Sequence, residues 1–382
     1  MRITKRVILF VASLLAAAGA EWVPAVAQDA KHVEARTGAG RTYLERLYAE
    51  ENREYRFRTD FPGGFESWQT RARPVLQSLL GLDTMARQVG ADKPRVVLET
   101  PQDRETHILR KGFIETEPAV RIAFWLLRPR GEGPFPLAIT PHGHDRRGHD
   151  TSAGVYHDAE HRSEALAADR DVAVQAVERG FLAIAPATRG LSREANFAPD
   201  EYARHGKQDC RSHLNHALLA KRTAMGERVW DMSRLLDWAL DLPDVDRRTV
   251  LMMGNSGGGM VTIYAAACDR RITIAVPSCS FTRIASPEGR IFHCDCNTVP
   301  GILCFGDLCD IAGLVAPRYF LAVNGRKDSL HESTAIEDAA RRAKASYEAA
   351  GVPERFEHRW GDEGHRFYKE LMWPFVLQAM KR

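Results

Sequence analysis

Apolar positions follow two different spacings along the chain. Between residues 65 and 80, Trp68, Ala72, Val75, Leu76, Leu79 and Leu80 recur at the spacing of one helical face. A second helical pattern runs around residues 43–54. From about residue 95 the pattern shortens to brief apolar runs at 96–98, 107–111, 120–127, 137–140, 181–185, 249–253, 272–276, 319–323 and 356–360. Longer amphipathic stretches alternate with them at 214–240 (with a break at Gly226), 257–267, 332–350 and 366–380. Short strands alternating with long helices predict an α/β chain whose central sheet is mostly parallel and covered by helices on both faces. Residues 141–170, rich in His, Asp and Arg, read as a long loop. The resulting division is a leader at 1–27, an N-terminal helical extension at 28–95 and the α/β domain at 96–382.

The leader has the order of a secretory signal. Arg2, Lys5 and Arg6 precede an apolar stretch over residues 7–18. That stretch falls short of the roughly 20 residues a spanning helix needs. Two small-x-small sites follow, Ala18-Gly19-Ala20 and Ala25-Val26-Ala27, and cleavage after Ala27 is preferred. A periplasmic or secreted protein, free of the membrane after cleavage, is expected. With 44% hydrophobic and 27% charged residues, the chain is neither disordered nor a multi-span membrane protein. The formal charge of +3 comes largely from the leader, so the body offers no electrostatic case for nucleic acid.

Seven cysteines lie between Cys210 and Cys309. An oxidising compartment permits disulfides, and the odd number leaves one unpaired. Cys294-Asp295-Cys296 beside His293 has one intervening residue, against the two to four usual for zinc pairs. Local disulfides are therefore expected in place of a metal, with the pairing left open.

The strongest chemical signal is Gly254-Asn255-Ser256-Gly257-Gly258, a G-x-S-x-G between a buried strand and an Ala-rich helix. A sharp strand-to-helix turn would raise the Ser256 hydroxyl above the carboxyl end of the sheet. Serine is a weak nucleophile until a base takes its proton. Asp328 follows the strand at 319–323, and His365 follows the strand at 356–360. The order Ser, Asp, His gives Ser256 as nucleophile, His365 as base then acid, and Asp328 as its orienting carboxylate. Asp295 is the fallback acid. The oxyanion would take the N–H of Gly257 and a second N–H from the loop 140–144, with His144 the first choice and Asp145 next; His142 reads as structural.

These residues resemble the α/β-hydrolase superfamily, in its acetyl-xylan-esterase-like branch, related to dienelactone hydrolases and prolyl-oligopeptidase-type hydrolases. The resemblance rests on PHGH at 141–144, GERVWDMSRLLDWAL at 226–240 and GNSGGGM at 254–260. HCDCNTVPGIL at 293–303, DIAGLVAPRYFLAVNGRKD at 310–328 and GHRFY at 364–368 complete it. Ser329-Leu330-His331 departs from the aromatic-Pro step that many members carry. The resemblance implies an α/β-hydrolase fold and hydrolysis of carboxylic esters, often on plant polysaccharides.

The expected substrate is a small-molecule or oligosaccharide ester, either an acetyl ester or a uronate methyl ester. Arg189, Arg146 and His149 are candidates for binding it, with Arg326, Lys327 and Arg366 on the same rim. No diffusible cofactor and no metal is required by the serine chemistry. The competing readings are a prolyl-oligopeptidase-like peptidase, a metal-assisted hydrolase using the histidines of 142–161, and a binding module with a vestigial elbow.

Overall fold

A computed structural model describes residues 40–90 and 92–381. The leader and its cleavage after Ala27 lie outside the described residues. Residues 40–47 are helical, and from Tyr48 onward the chain clusters into one compact unit.

Among the described residues, ten strands form one sheet. They are β1 (Arg95–Leu98), β2 (Gln102–Asp103), β3 (His107–Glu117), β4 (Val120–Pro129), β5 (Phe135–Ile139), β6 (Leu182–Pro186), β7 (Val245–Asn255), β8 (Ile274–Ser278), β9 (Tyr319–Gly325) and β10 (Phe356–Gly361). The helices that frame the site are α1 (Gly64–Leu80), α2 (Asp209–Leu219), α3 (Ala224–Ala239), α4 (Gly257–Cys268), α5 (Ser333–Ala349) and α6 (Lys369–Ala379). The strand order is β1-β3-β4-β6-β5-β7-β8-β9-β10, with β2 paired to β3. Pairs from β1 to β6 are antiparallel, and those from β6 through β10 are parallel. The mostly parallel sheet expected from the sequence is thus present, with an antiparallel edge.

After β5 the chain turns to β6 on one side, whereas after β7 it turns to β8 on the other. The connections leaving the carboxyl ends of β5 and β7 therefore diverge, and a crevice opens between them. Both faces of the central strands β5 to β9 are buried. Along β7, Val250 and Met252 join one core cluster while Leu251 and Met253 join the other, as the two-residue period of a strand requires.

Helix α1 is part of that core. Trp68, Ala72, Leu76 and Leu80 are fully buried on its inner face. Its Gln69 amide donates to the Ala316 carbonyl at 2.7 Å, and Arg73 donates to the Leu314 carbonyl at 2.8 Å. Two expectations need correction. The helical stretch at 214–240 divides at residues 220–223, where the Thr223 hydroxyl caps α3 by accepting from the Gly226 N–H. Gly226 lies inside the helix because a Cβ there would come within 1.8 Å of the Leu80 carbonyl oxygen, so it permits close packing and does not break the helix. The stretch 141–170 holds two short helices, Gly148–Ser152 and Ala159–Ala167, the second capped by the Asp158 carboxylate accepting from the His161 N–H.

Candidate active site

Ser256 follows β7 directly, at φ 56° and ψ −123°, a conformation that L-residues rarely adopt. The surroundings enforce it. A Cβ at Gly254 would stand 2.3 Å from the Gly258 carbonyl oxygen, and one at Gly258 would stand 2.0 Å from that of Pro141. Both neighbours are backbone and cannot yield, so the G-x-S-x-G spacing is required by sterics. The Ser256 N–H donates to the Ser278 carbonyl at 2.9 Å, tying the turn to β8. Helix α4 starts immediately after, and its first N–H groups have no partner within the helix.

A cavity of about 230 Å³ sits above this turn, lined by Gly143, His144, Asn255, Ser256, Arg170 and His365 among others. His365 and Asp328 meet behind it, with His365 Nδ1 2.7 Å from Asp328 Oδ2. Leu330 N–H donates to the other carboxylate oxygen at 3.1 Å. Burial works against charge on Asp328, but the hydrogen bond and charge of His365 outweigh it and hold the carboxyl below its usual range. A second imidazole approaches from the next turn: His331 Nδ1 lies 3.9 Å from Asp328 Oδ2. Burial pushes His331 down to about 4. Cys279, after β8, donates through its thiol to the carbonyls of Gly364 and Arg366, and so packs against the loop that carries His365.

The opposite wall is the loop after β5. His142 is buried, with Nε2 accepting from the Thr188 N–H at 2.9 Å, which is the structural part expected of it. The loop packs directly on the elbow. A Cβ at Gly257 would lie 3.3 Å from Gly143 Cα and 3.5 Å from His144 Nδ1.

The structure separates the predicted binding residues. Arg189 is buried and does not face the cavity. It donates to Glu117 at 2.7 Å, to Asp231 through Nε at 2.9 Å and again through Nη2, and lies 3.2 Å from Glu227. Three carboxylates thus hold it, and its expected part in substrate binding is corrected to a structural one. His149 is also buried, near Ser192 and Glu194. Arg146 is exposed, pairs with Asp209 at 3.4 Å, and lines a neighbouring cavity of about 340 Å³. Of the wider basic rim, Arg366 pairs with Asp169 at 2.6 Å and Lys327 with Glu363 at 3.1 Å, while Arg326 lies over the Trp360 ring. Arg170, which the sequence did not single out, lines the cavity above Ser256, and its guanidinium makes no hydrogen bond or ion pair among the described residues.

The cysteines also depart from expectation. All seven are free thiols, so none of the expected local disulfides is present. Cys268, Cys279 and Cys309 are buried at separate places, whereas Cys210, Cys294 and Cys296 converge on the His144 side chain. Hydrogen bonds from Cys210 and Cys294 hold the Cys296 thiol well below its usual range, and the Cys294 and Cys296 thiols raise His144 to about 9. The remaining histidines of 142–161 do not gather into a metal site. His161 bonds Thr151 at 2.8 Å, and His157 lies against His161 with ring centroids 4.3 Å apart and planes tilted by 38°.

Comparison with known proteins agrees with this fold. The acetyl xylan esterase family model matches residues 111–286, just under half of the chain. YtaP of Bacillus subtilis (strain 168), a protein assigned as a hydrolase, is 21% identical over 300 residues, covering 77% of this chain and 92% of its own. A protein from Bacteroides fragilis NCTC 9343 assigned as an acetyl xylan esterase superposes with a TM-score of 0.64 at 16% identity, covering 85% of this chain and 91% of its own. A glucuronoyl esterase from Solibacter usitatus superposes at 0.59 and 16% identity, covering 83% and 93%. The chain has the α/β-hydrolase fold, with the acetyl-xylan-esterase-like resemblance expected from its motifs. No helix among the described residues is long and apolar enough to cross a membrane.

Proposed function

We propose that this chain is a secreted serine carboxylesterase acting on an ester carried by a carbohydrate, through an acyl-enzyme on Ser256. The observation that carries this reading is the Asp328–His365 pair at 2.7 Å, whose His365 lines one cavity with Ser256. Asp328 accepts the Nδ1–H of His365, which leaves the Nε2 lone pair free to act as the base. His365 takes the Ser256 proton as Oγ attacks the acyl carbon. The negative charge that develops on the acyl oxygen is met by the N–H groups of Gly257 and His144. His365 then returns the proton to the departing alcohol, and the same sequence with water releases the acid.

In this reading residues 1–27 are removed as a signal, 28–95 are an extension whose α1 buttresses the core, and 96–382 carry the chemistry. The likeness to the acetyl xylan esterase family and to acetyl xylan and glucuronoyl esterases supports an ester on a carbohydrate, either an acetyl ester or a uronate methyl ester. Arg170, whose guanidinium has no hydrogen bond or ion pair among the described residues, is the cavity group that a sugar carboxylate or uronyl oxygen would meet.

The test is the mature protein, with and without Ser256→Ala, on paired acetylated and uronate-methyl-ester saccharides plus a proline-containing peptide. Acid or alcohol release lost by about 10⁴-fold or more in the variant is the expected result. Acetate release defines a deacetylase. Methanol release defines a uronate esterase, in which Arg170→Ala then raises KM. Peptide cleavage in place of ester cleavage, or full turnover by Ser256→Ala, overturns the reading.

A further inference from the structure

We propose that His144, Cys210, Cys294 and Cys296 bind one zinc ion beside the catalytic cleft, with Arg228 as its buried counter-charge. The four ligand atoms all lie within 4.8 Å of one another, and Cys296 Sγ is 3.4 Å from His144 Nε2. A tetrahedral zinc site with bonds of about 2.3 Å to sulfur and about 2.0 Å to nitrogen spaces its ligand atoms roughly 3.5–3.8 Å apart. The cluster is already near that size. Three thiols with one imidazole make a donor set that selects zinc over the oxygen-preferring cations.

The ligands come from three distant segments: the loop after β5, the first turn of α2, and the stretch between β8 and β9. Arg211 pairs with Asp295 at 2.7 Å and holds the last two segments together. Cys210 and Cys296 are buried, while His144 is exposed and Cys294 partly so, which leaves an entry path from solvent.

A second observation is independent of the cysteines. Arg228 is completely buried and pairs with no carboxylate among the described residues. Its Nε donates to the Arg189 carbonyl at 2.9 Å, its Nη1 reaches Asn297 Oδ1 at 3.2 Å and Cys296 Sγ at 3.4 Å, and its Nη2 has no partner. A buried guanidinium without an anion is strongly disfavoured. On binding Zn²⁺ the three thiols release their protons to solvent, and three thiolates with a neutral imidazole leave the site at −1. Arg228 brings that to zero.

The ion would also fix the orientation of His144, whose Nε2 faces the sulfurs while its Nδ1 faces Gly257. That consequence for the oxyanion loop rests on the esterase reading; metal content does not, so the two can fail separately.

The experiment is elemental analysis of mature protein purified without chelator, for wild type, Cys210→Ser and Cys294→Ser. About one zinc per chain is expected in the wild type, and less than a tenth of that in either variant. Should a variant fail to fold, cobalt substitution of the wild type serves instead, with thiolate-to-cobalt charge-transfer absorption as the expected signature. A folded wild type that holds no stoichiometric zinc and gives no cobalt bands overturns the site. So does a disulfide among Cys210, Cys294 and Cys296, read as a two-hydrogen mass loss in non-reduced protein.

Discussion

The two walls of the cleft are assembled over very different distances along the chain. On the β9–β10 wall, Asp328 and His365 are 37 residues apart and emerge from adjacent parallel strands. On the β5 wall, His144 meets Cys296 from 152 residues away, and Arg189 beneath that wall meets Glu117 from 72 residues away. The first wall is set by strand pairing, which delivers both side chains to the same sheet end whatever lies between them. The second depends on side chains from unrelated loops finding one another in the folded molecule. Local wiring brings together the pair to which the proposed proton chemistry is assigned, and long-range wiring holds the opposite surface.

Substitutions should separate the walls. The largest effect is expected from Asp328→Asn, which leaves packing in place but removes the acceptor that fixes the His365 tautomer. Turnover should fall by about 10³–10⁴-fold with little change in melting temperature. An equally active variant would break the assignment of the acid.

Next, Arg189→Met should act on stability and not on the chemical step. Removing one member of a buried charge network costs about 3–5 kcal/mol, because Glu117, Glu227 and Asp231 lose a shared partner. Thermal unfolding with turnover per folded molecule distinguishes the two. A selective rise in KM at unchanged stability would return Arg189 to the substrate.

A smaller effect comes from His331. Its folded imidazole stays neutral down to about 4, whereas the unfolded chain takes up a proton below about 6.5. The unfolded state therefore binds more protons in that window, and stability falls as the pH drops through it, by at most about 1.4 kcal/mol per pH unit. His331→Asn should flatten the acid side of a melting-temperature profile. The smallest change is expected from Arg146→Ala, since an exposed pair contributes less than about 1 kcal/mol. Turnover should stay within about twofold.

The same contrast explains what the sequence disclosed. G-x-S-x-G, Asp328 and His365 were legible because each stands at the end of an apolar run, and the α/β-hydrolase order then relates them. Helix α1 was legible from its apolar stripe alone. The cysteine cluster was not, because its ligands share no local spacing: only Cys294 and Cys296 are neighbours, and His144 sits in a different motif. Arg189 misled for a related reason. It follows the strand β6 as a rim residue should, yet its partners Glu117, Glu227 and Asp231 come from a strand end and from α3, and no periodicity in the sequence announces that meeting. Gly226 marked a tight approach to Leu80, a contact that only the packed helices define.

The proposed chemistry rests on one serine, and covalent labelling tests it most directly. Mature protein treated with an organofluorophosphonate should gain one adduct per chain, mapped by peptide mass to Ser256, with ester turnover lost in step. Turnover that survives full labelling, or an adduct carried elsewhere while Ser256 stays unmodified, would contradict it.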